Sequence, residues 1–118
     1  MLSYFTEDEF QCFCGCGMDV TKELKDAVIA ARSIAGIPFI INSGARCDSH
    51  NKAIGASKTS SHTKGLAVDI KASSSHTMYL ILESLYKAGI DRIGINFDSG
   101  FIHADIDEDK SSKVLFGY

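Results

Sequence analysis

Apolar residues recur at helical spacing in two stretches of the chain. In residues 21–35 they fall on one side of a helix, and Gly36 follows as a stop signal. Residues 76–88 repeat the pattern, with Ser75 before them as a cap and Gly89 after them. The pattern predicts two amphipathic helices. Their apolar faces consist of Leu24, Ala27, Val28, Ala31, Ala35, Met78, Ile81, Leu82 and Leu85.

Short runs of apolar and β-branched residues predict the strands. These runs are residues 39–43, 66–70, 90–97 and 101–106. A hairpin-sized turn, residues 98–100, separates the last two runs. The apolar tail, residues 114–118, either forms one more strand or closes the core. The order of helix, two strands, helix and two strands predicts an α+β fold with a central antiparallel sheet on which the helices pack.

The length of the chain is suited to one domain. A chain of 118 residues, 45% of them hydrophobic, can bury one modest core, so we assign residues 1–118 to a single domain. Within it, residues 44–65 are polar and rich in Ser, Gly, Asn, Lys and His. An irregular segment of this length in a compact domain is usually functional or mobile.

Charge and hydropathy exclude some classes of partner. A formal net charge of −3 argues against nucleic acid, which requires a basic face. The acidic run at residues 105–109 is typical of a solvated loop. No apolar run is long enough to span a membrane, and the first 19 residues lack the pattern of a secretory signal. We therefore expect a soluble monomer that is made in a cytoplasm and has no membrane partner.

Four cysteines are unevenly spaced along the chain. Cys12, Cys14 and Cys16 alternate with single residues, and Cys47 lies far from them in sequence. Structural zinc sites usually take cysteine pairs with two to four residues between them, a spacing that is absent here. A disulfide between Cys47 and one of the other three requires an oxidising compartment. Buried or free thiols are the other interpretation.

Three potential metal ligands have unusual settings. His62 follows the polar stretch, whereas Asp69 and His103 interrupt apolar runs that predict strands. An acid among aliphatic residues needs a partner, because an unpaired buried carboxylate is costly. Two imidazoles and one carboxylate match catalytic zinc, which keeps a fourth position for water. On these residues alone, ordinary hydrogen-bonded side chains at strand ends remain the alternative.

Alternation along the strands adds a geometric expectation. In a β-strand, successive side chains point to opposite faces of the sheet. Asp69 therefore shares a face with Ala67, and His103 shares a face with Phe101 and Asp105. The aliphatic residues between them are expected to face the core.

Taken together, the motifs resemble one known family, the zinc D-alanyl-D-alanine carboxypeptidases, which includes phage L-alanyl-D-glutamate endopeptidases. The most specific element is Ser60-x-His62-x-x-Gly65-x-Ala67-x-Asp69. Other elements are Ser43-Gly44-Ala45-Arg46, then Asn51 and Gly55, and Phe101-Ile102-His103-Ala104-Asp105. The opening segment Tyr4-Phe5-Thr6-x-x-Glu9-Phe10-x-Cys12, followed by Cys14-Gly15, is similar to the small, phage-type branch.

The resemblance implies a fold, a reaction and roles for residues. The fold would be that shared by these peptidases and the hedgehog signalling domain. The activity would be zinc-dependent hydrolysis of peptidoglycan stem peptides, as a phage lysin or a tail-associated protein. One zinc ion would be held by His62, Asp69 and His103. Arg46 would bind the substrate and assist catalysis. Ser60 would contact the substrate and form a hydrogen bond near the site that supports a metal ligand.

The chain departs from several relatives at the proton acceptor. They carry an acid three residues before the last histidine ligand, where this chain has Gly100. The resemblance favours Asp105 as the general base, with Asp98 as its competitor. The missing acid also leaves an alternative, a zinc-containing module that binds cell-wall peptides without cutting them. His50 and His76 are interpreted as a loop hydrogen bonder and a solvent-facing residue.

Overall fold

The computed structural model describes residues 5–6 and 8–118, so Tyr4, where the resemblance begins, lies outside the described residues. The elements, in chain order, are α1 (Lys22–Ala35), β1 (Ile41–Ser43), α2 (Asp48–Ala53), a 3-10 turn at Ser61–Lys64, β2 (Ala67–Lys71), α3 (Ser75–Lys87), β3 (Arg92–Asn96), β4 (Phe101–Asp105) and β5 (Val114–Gly117). Within the described ranges, no helix has the length and apolar character that a membrane crossing requires.

The five strands form one mixed sheet in the order β1-β2-β4-β3-β5. The first three pairings are antiparallel, as expected, and they confirm the α+β class. The pairing of β5 with β3 is parallel, so the expectation of a wholly antiparallel sheet is wrong at this edge. The side of β4 that faces away from β3 is occupied by β2. The last strand therefore pairs with the outer side of β3.

Local sequence signals explain the ends of α1. The side chain of Thr21 accepts a hydrogen bond from the backbone N–H of Leu24, which satisfies one of the donors at the start of the helix. Gly36 ends the helix with a φ of 70°, a left-handed conformation that glycine adopts without strain. In α3 the cap is Ser74, one residue before the position expected from the sequence.

The core lies between the helices and one face of the sheet. From α1 and α3 it takes Leu24, Val28, Ala31, Met78, Ile81 and Leu85, and from the central strands Val68, Ile70, Ile93, Ile102 and Ala104. The strand residues between these point to the opposite face, because side chains alternate along a strand. Asp69, Gly94 and His103 are cross-strand partners on that opposite face. The alternation expected from the sequence is therefore confirmed.

The polar stretch, residues 44–65, is more ordered than an irregular loop. It contains α2 and the 3-10 turn, neither of which the sequence analysis predicted. Cys47 caps α2 by accepting from the backbone N–H of His50 at 3.4 Å. Asn51 is buried and donates to the carbonyl of Ser57 at 2.9 Å. Short polar segments of this kind carry no apolar periodicity, so only their hydrogen bonds reveal them.

The acidic run at residues 105–109 is only half solvated, because Glu108 and Asp109 are exposed but the other two acids are not. Asp105 is 1% exposed and Asp107 is 2% exposed, which corrects the expectation from the sequence. Both carboxylates have cationic partners, Arg92 for Asp105 and Lys64 for Asp107. These partners offset the cost of burying the charges.

Candidate metal centre

The sheet brings two of the three predicted ligands side by side. Asp69 in β2 and His103 in β4 are directly paired across the antiparallel ladder. Gly94 in β3 and Phe116 in β5 extend the same row. A Cβ atom on Gly94 would lie 2.3 Å from the Phe116 ring, so only glycine allows the ring to pack there. The ring centroids of Phe116 and His103 are 5.8 Å apart.

The third ligand, His62, is positioned by the 3-10 turn. Ser60 caps the turn, and its hydroxyl accepts from the backbone N–H of His62 at 3.3 Å. The turn ends at Gly65, where φ is 70° and a Cβ atom would lie 2.9 Å from the carbonyl oxygen of Asp19. The ring is buried, and its Nδ1 lies 2.7 Å from the carbonyl oxygen of Gly44. A carbonyl only accepts, so Nδ1 carries the hydrogen, and in the neutral ring Nε2 keeps its lone pair.

The ligand atoms of the three residues converge. Nε2 of His62 is 3.4 Å from Oδ2 of Asp69, and Nδ1 of His103 is 3.0 Å from Oδ1 of Asp69. All three ligand atoms lie within 4.8 Å of one another. Tetrahedral zinc with bonds of about 2.0–2.1 Å places its ligand atoms roughly 3.3 Å apart. The donor set and its spacing therefore fit a zinc ion.

Charge at the centre also suits a cation. Burial raises the pKa of Asp69, but the hydrogen bonds and charges of His103 and His62 outweigh it and lower the pKa to about 2. Burial lowers the pKa of His103, and the carboxylates of Asp105 and Asp69 more than compensate, so that this pKa is raised. Both carboxylates therefore favour positive charge at the centre, and a bound metal would replace the proton on Nδ1.

Asp105 binds the other side of the His103 ring. Its Oδ2 is 2.7 Å from Nε2 of His103, and its Oδ1 accepts from Nε of Arg92 at 2.7 Å. The backbone N–H of Asp107 also donates to Oδ1, at 3.1 Å. Burial raises the pKa of Asp105, but these donors, with His103 the strongest, lower it below its usual value. Asp105 is therefore ionised and holds His103 by the nitrogen that faces away from Asp69.

Arg46 lies beside the three ligands and is buried. Its backbone N–H donates to the carbonyl oxygen of His62 at 2.9 Å. Burial lowers the pKa of the guanidinium, although the charge of Asp69 acts in the opposite direction. Among the described residues, its Nε has no hydrogen-bond partner. A buried donor therefore remains for another molecule.

A family model described as Peptidase M15 matches residues 3–105, most of the chain. The chain belongs to the peptidase M15 family. This confirms the resemblance found in the sequence, and members of the family are zinc-dependent peptidases. None of the curated proteins compared with the chain matches it.

The M15 motif residues line a cleft of about 460 Å³. Arg46, Ser60, His62, Asp69, His103 and Asp105 all contribute to its wall. The other residues singled out in the sequence lie elsewhere. Asp98 is exposed in the turn between β3 and β4, and the cleft wall does not include it. His50 lies in α2 and His76 is exposed on α3.

Sequence reasoning missed three residues of this M15 cleft. Arg92 binds Asp105, and Phe116 and Tyr118 form an aromatic wall with Phe101. Burial, together with the negative charges of Asp69 and Asp105, raises the pKa of Tyr118 to about 12, so its hydroxyl stays protonated. The apolar tail was a visible signal for β5, but only its parallel register with β3 places these rings at the site.

Proposed function

We propose that this chain is a zinc peptidase that hydrolyses peptide bonds of bacterial peptidoglycan. The observation that carries the proposal is the convergence of His62, Asp69 and His103 in a cleft that also exposes Arg46 to a ligand. Membership of the peptidase M15 family supports the reaction class. The peptidoglycan substrate rests on the resemblance to enzymes that cut cell-wall peptides.

The chain holds its proposed ligands in place before any metal binds. His62 is tied through Nδ1 to the carbonyl of Gly44, and His103 is tied through Nε2 to Asp105. Each imidazole therefore aims its other nitrogen at Asp69. Such outer contacts fix the ring orientation and make the ligand more basic. A bound zinc ion would polarise the scissile carbonyl and lower the pKa of its water toward neutrality.

Arg46 is the proposed substrate-binding and catalytic cation. Its buried guanidinium has an unpartnered Nε and lies in the same cleft as the ligands. A guanidinium offers several donors in a fixed planar fork, which suits a peptide carboxylate or the charge that develops on a carbonyl oxygen. Ser60 lies in the same wall, and its hydroxyl accepts from the backbone N–H of His62. The same hydroxyl would lie near the substrate.

Asp105 stays our candidate for the proton acceptor, with Asp98 as the competitor. Its contacts add a second role, because the same carboxylate accepts the Nε2 hydrogen of His103. The two roles make different predictions for the variant Asp105→Asn. A lost base reduces turnover at full zinc occupancy, whereas a lost contact to His103 reduces the affinity for zinc.

The cleft at the metal centre has a neighbouring cleft in which a longer substrate could continue. A second cleft of about 450 Å³ meets the first at Ala56, and its lining includes Lys52 and Lys58. Stem peptides carry free carboxylates, which suit these two cations. We infer that the peptide continues past Ala56, an arrangement that both a carboxypeptidase and an endopeptidase can use.

A digest of purified peptidoglycan tests the proposed function. Mass spectrometry should find new peptide fragments after incubation with the zinc-loaded protein, and their masses identify the bond. Chelation and the variant His62→Ala should abolish the fragments, whereas His76→Ala, an exposed histidine on α3, should not. Intact muropeptides after incubation with a protein shown to contain zinc at the site would overturn hydrolysis.

One observation favours the non-catalytic alternative. The Asp105 carboxylate already contacts Arg92, His103 and the backbone N–H of Asp107, and Gly100 provides no acid in its place. A module that only binds cell-wall peptide would sediment with insoluble peptidoglycan and release no fragments. Sedimentation with release of fragments supports the enzyme, and sedimentation without release supports the binding module.

A further inference from the structure

The four cysteines of the chain meet at one place, remote in sequence from the candidate metal centre. Sγ of Cys14 lies 3.4 Å from Sγ of Cys12 and 3.5 Å from Sγ of Cys47. Sγ of Cys12 lies 3.8 Å from Sγ of Cys47. Cys16 completes the group, and all four sulfur atoms lie within 4.8 Å of one another. The proposed peptidase function uses none of them.

The backbone explains how cysteines with single-residue spacing converge. In an extended strand, side chains at i and i+2 are about 6.7 Å apart, which is too far to share one ion. Here the chain turns instead: the backbone N–H of Gly15 donates to the carbonyl of Cys12, and that of Cys12 donates to the carbonyl of Met18. Gly15 and Gly17 have φ values of 85° and 87°, conformations that favour glycine. The spacing that argued against a metal site in the sequence is thus overcome by a tight loop.

The sulfur atoms are also prepared to carry negative charge. The backbone N–H of Cys47 donates to Sγ of Cys12, and that of His50 donates to Sγ of Cys47, both at 3.4 Å. Burial raises the pKa of Cys12, but hydrogen bonds with the backbone and thiols of Cys14 and Cys47 lower it to about 7. Hydrogen bonds with the thiols of Cys12 and Cys16 raise the pKa of Cys14 to about 12.

We propose that Cys12, Cys14, Cys16 and Cys47 bind a second metal ion, a thiophilic divalent cation such as zinc, in a closed structural site. Four thiolates at about 2.3 Å from a tetrahedral zinc ion are roughly 3.8 Å apart, close to the separations found here. Binding replaces the thiol protons with the metal, and these protons pass to the solvent. No oxidant or reductant takes part.

The site would fasten the N-terminal loop to the segment that serves the candidate active centre. Two residues before Cys47, the backbone N–H of Ala45 donates to the carbonyl of Phe10 at 2.9 Å. Gly44, whose carbonyl accepts from His62, packs so closely on Phe10 that a Cβ atom would lie 2.3 Å from its carbonyl oxygen. Arg46 stands between this contact and Cys47. A metal at the cysteines would therefore stabilise the backbone that orients His62 and Arg46.

Zinc content and cobalt spectra of the full chain, purified under reducing conditions, test the proposal. We expect about two zinc ions per chain in the wild type and about one in His62→Ala/His103→Ala. The second expected ion should disappear in Cys14→Ser/Cys16→Ser, which changes the two exposed cysteines. The matched control Phe13→Ser, at a 61% exposed position between two of the ligands, should keep both ions.

Cobalt substitution identifies the ligands. The histidine double variant should show strong thiolate-to-cobalt charge-transfer absorption, and the cysteine double variant should show none. If the cysteine variant does not fold, the wild type alone still tests the second site. Zinc should protect all four thiols from a thiol reagent, and a chelator should restore their reactivity. Thiols that react equally fast with and without zinc, or a disulfide in the reduced preparation, would overturn the second site. Neither result affects the histidine site, which is measured by the zinc that His62→Ala/His103→Ala removes.

Discussion

Asp105 Oδ2 lies 2.7 Å from Nε2 of His103, on the side of the imidazole opposite to the nitrogen that faces Asp69. The other oxygen of Asp105 is held by Arg92 Nε, also at 2.7 Å. A buried carboxylate in this position selects the tautomer of the histidine and fixes the plane of its ring. The proposed binding of a metal by His103 would therefore depend on a residue that is not itself a ligand.

The substitution Asp105→Asn should weaken zinc binding by about 10–100-fold, the usual effect of removing such an outer contact. The amide loses the charge that stabilises the Nε2 hydrogen of His103 and the guanidinium of Arg92. Zinc affinity can be measured by competition with a chromophoric chelator. Peptide hydrolysis at saturating zinc then isolates the part of the loss that belongs to proton transfer.

A matched variant on the same stretch of chain is Asp109→Asn. Asp109 is 85% exposed and contacts Lys64 at 3.1 Å, far from the His103 ring. It should change neither zinc affinity nor turnover. If Asp105→Asn also leaves zinc affinity and turnover unchanged, the contact to His103 does not contribute to function. Asp98→Asn then becomes the test for the proton acceptor.

Much of the candidate centre could be predicted from the sequence, because strand alternation is a strict rule. The polar residues Asp69 and His103 each interrupt an apolar run, and period two places them on the face opposite the core. Antiparallel pairing of β2 and β4 then brings them together as direct partners. The specific motif around His62 supplied the third ligand, since a turn has no periodic signal of its own.

Other parts depend on contacts between distant residues that no local pattern records. The burial of Asp105 follows from its ladder partner Arg92 in β3, not from the acidic residues around it. The convergence of Cys12 with Cys47 likewise depends on how the N-terminal loop packs on residues 44–47. Local composition predicted exposure in the first case, and cysteine spacing argued against a shared metal site in the second; tertiary packing overrode both.

Arg46→Lys should lower kcat/KM for peptidoglycan fragments by about tenfold or more, equal to about 1.4 kcal/mol of transition-state stabilisation. Lysine keeps the charge but loses the planar fork of donors. The fold and the zinc content should be unchanged, because the hydrogen bond of Arg46 to His62 uses the backbone N–H. Steady-state kinetics with a defined muropeptide measure the effect.

The same chemical change at a helix surface is the control for Arg46. Arg32→Lys in α1 should leave kcat/KM at the wild-type value, since α1 packs on the face of the sheet away from the cleft. Equal kinetics for the two variants would remove Arg46 from the proposed substrate site.

Asp107 should stabilise the metal-free protein near neutral pH, and this contribution should be lost at acid pH. Burial raises its pKa, but Ser61, Lys64 and the backbone N–H of Asp109 outweigh this and lower it below the ordinary value of 3.8. A group with a depressed folded pKa contributes stability above its unfolded pKa and loses it as the pH falls through the folded value. Asp107→Asn should thus cost about 2 kcal/mol near neutral pH and much less at acid pH.

Urea unfolding with a chelator present, from neutral pH to about pH 3, measures this difference. Asp26→Asn is the control, because its ion pair with Lys22 is exposed and of little energetic value. A cost for Asp107→Asn that is the same at every pH would mean that packing, and not charge, accounts for the contribution of Asp107.

Gly94→Ala should damage the aromatic wall of the cleft. The new methyl would lie 2.3 Å from the Phe116 ring, so the ring must move away from His103. Overpacking typically costs about 1–3 kcal/mol, and the lower chain entropy of alanine offsets about 0.5–1 kcal/mol of it. Unfolding in urea should show a net loss of about 1 kcal/mol, and kcat/KM should fall because the wall beside the metal ligand is displaced.

Two further variants separate this clash from a general effect of alanine in the sheet. Gly117→Ala in β5 has no atom near the position of its Cβ and should be as stable and active as the wild type. Combining Gly94→Ala with Phe116→Ala removes the clashing ring, so the double variant should be more stable than the sum of the single effects implies. Strict additivity of the two substitutions would show that the ring of Phe116 does not rest on Gly94 in solution.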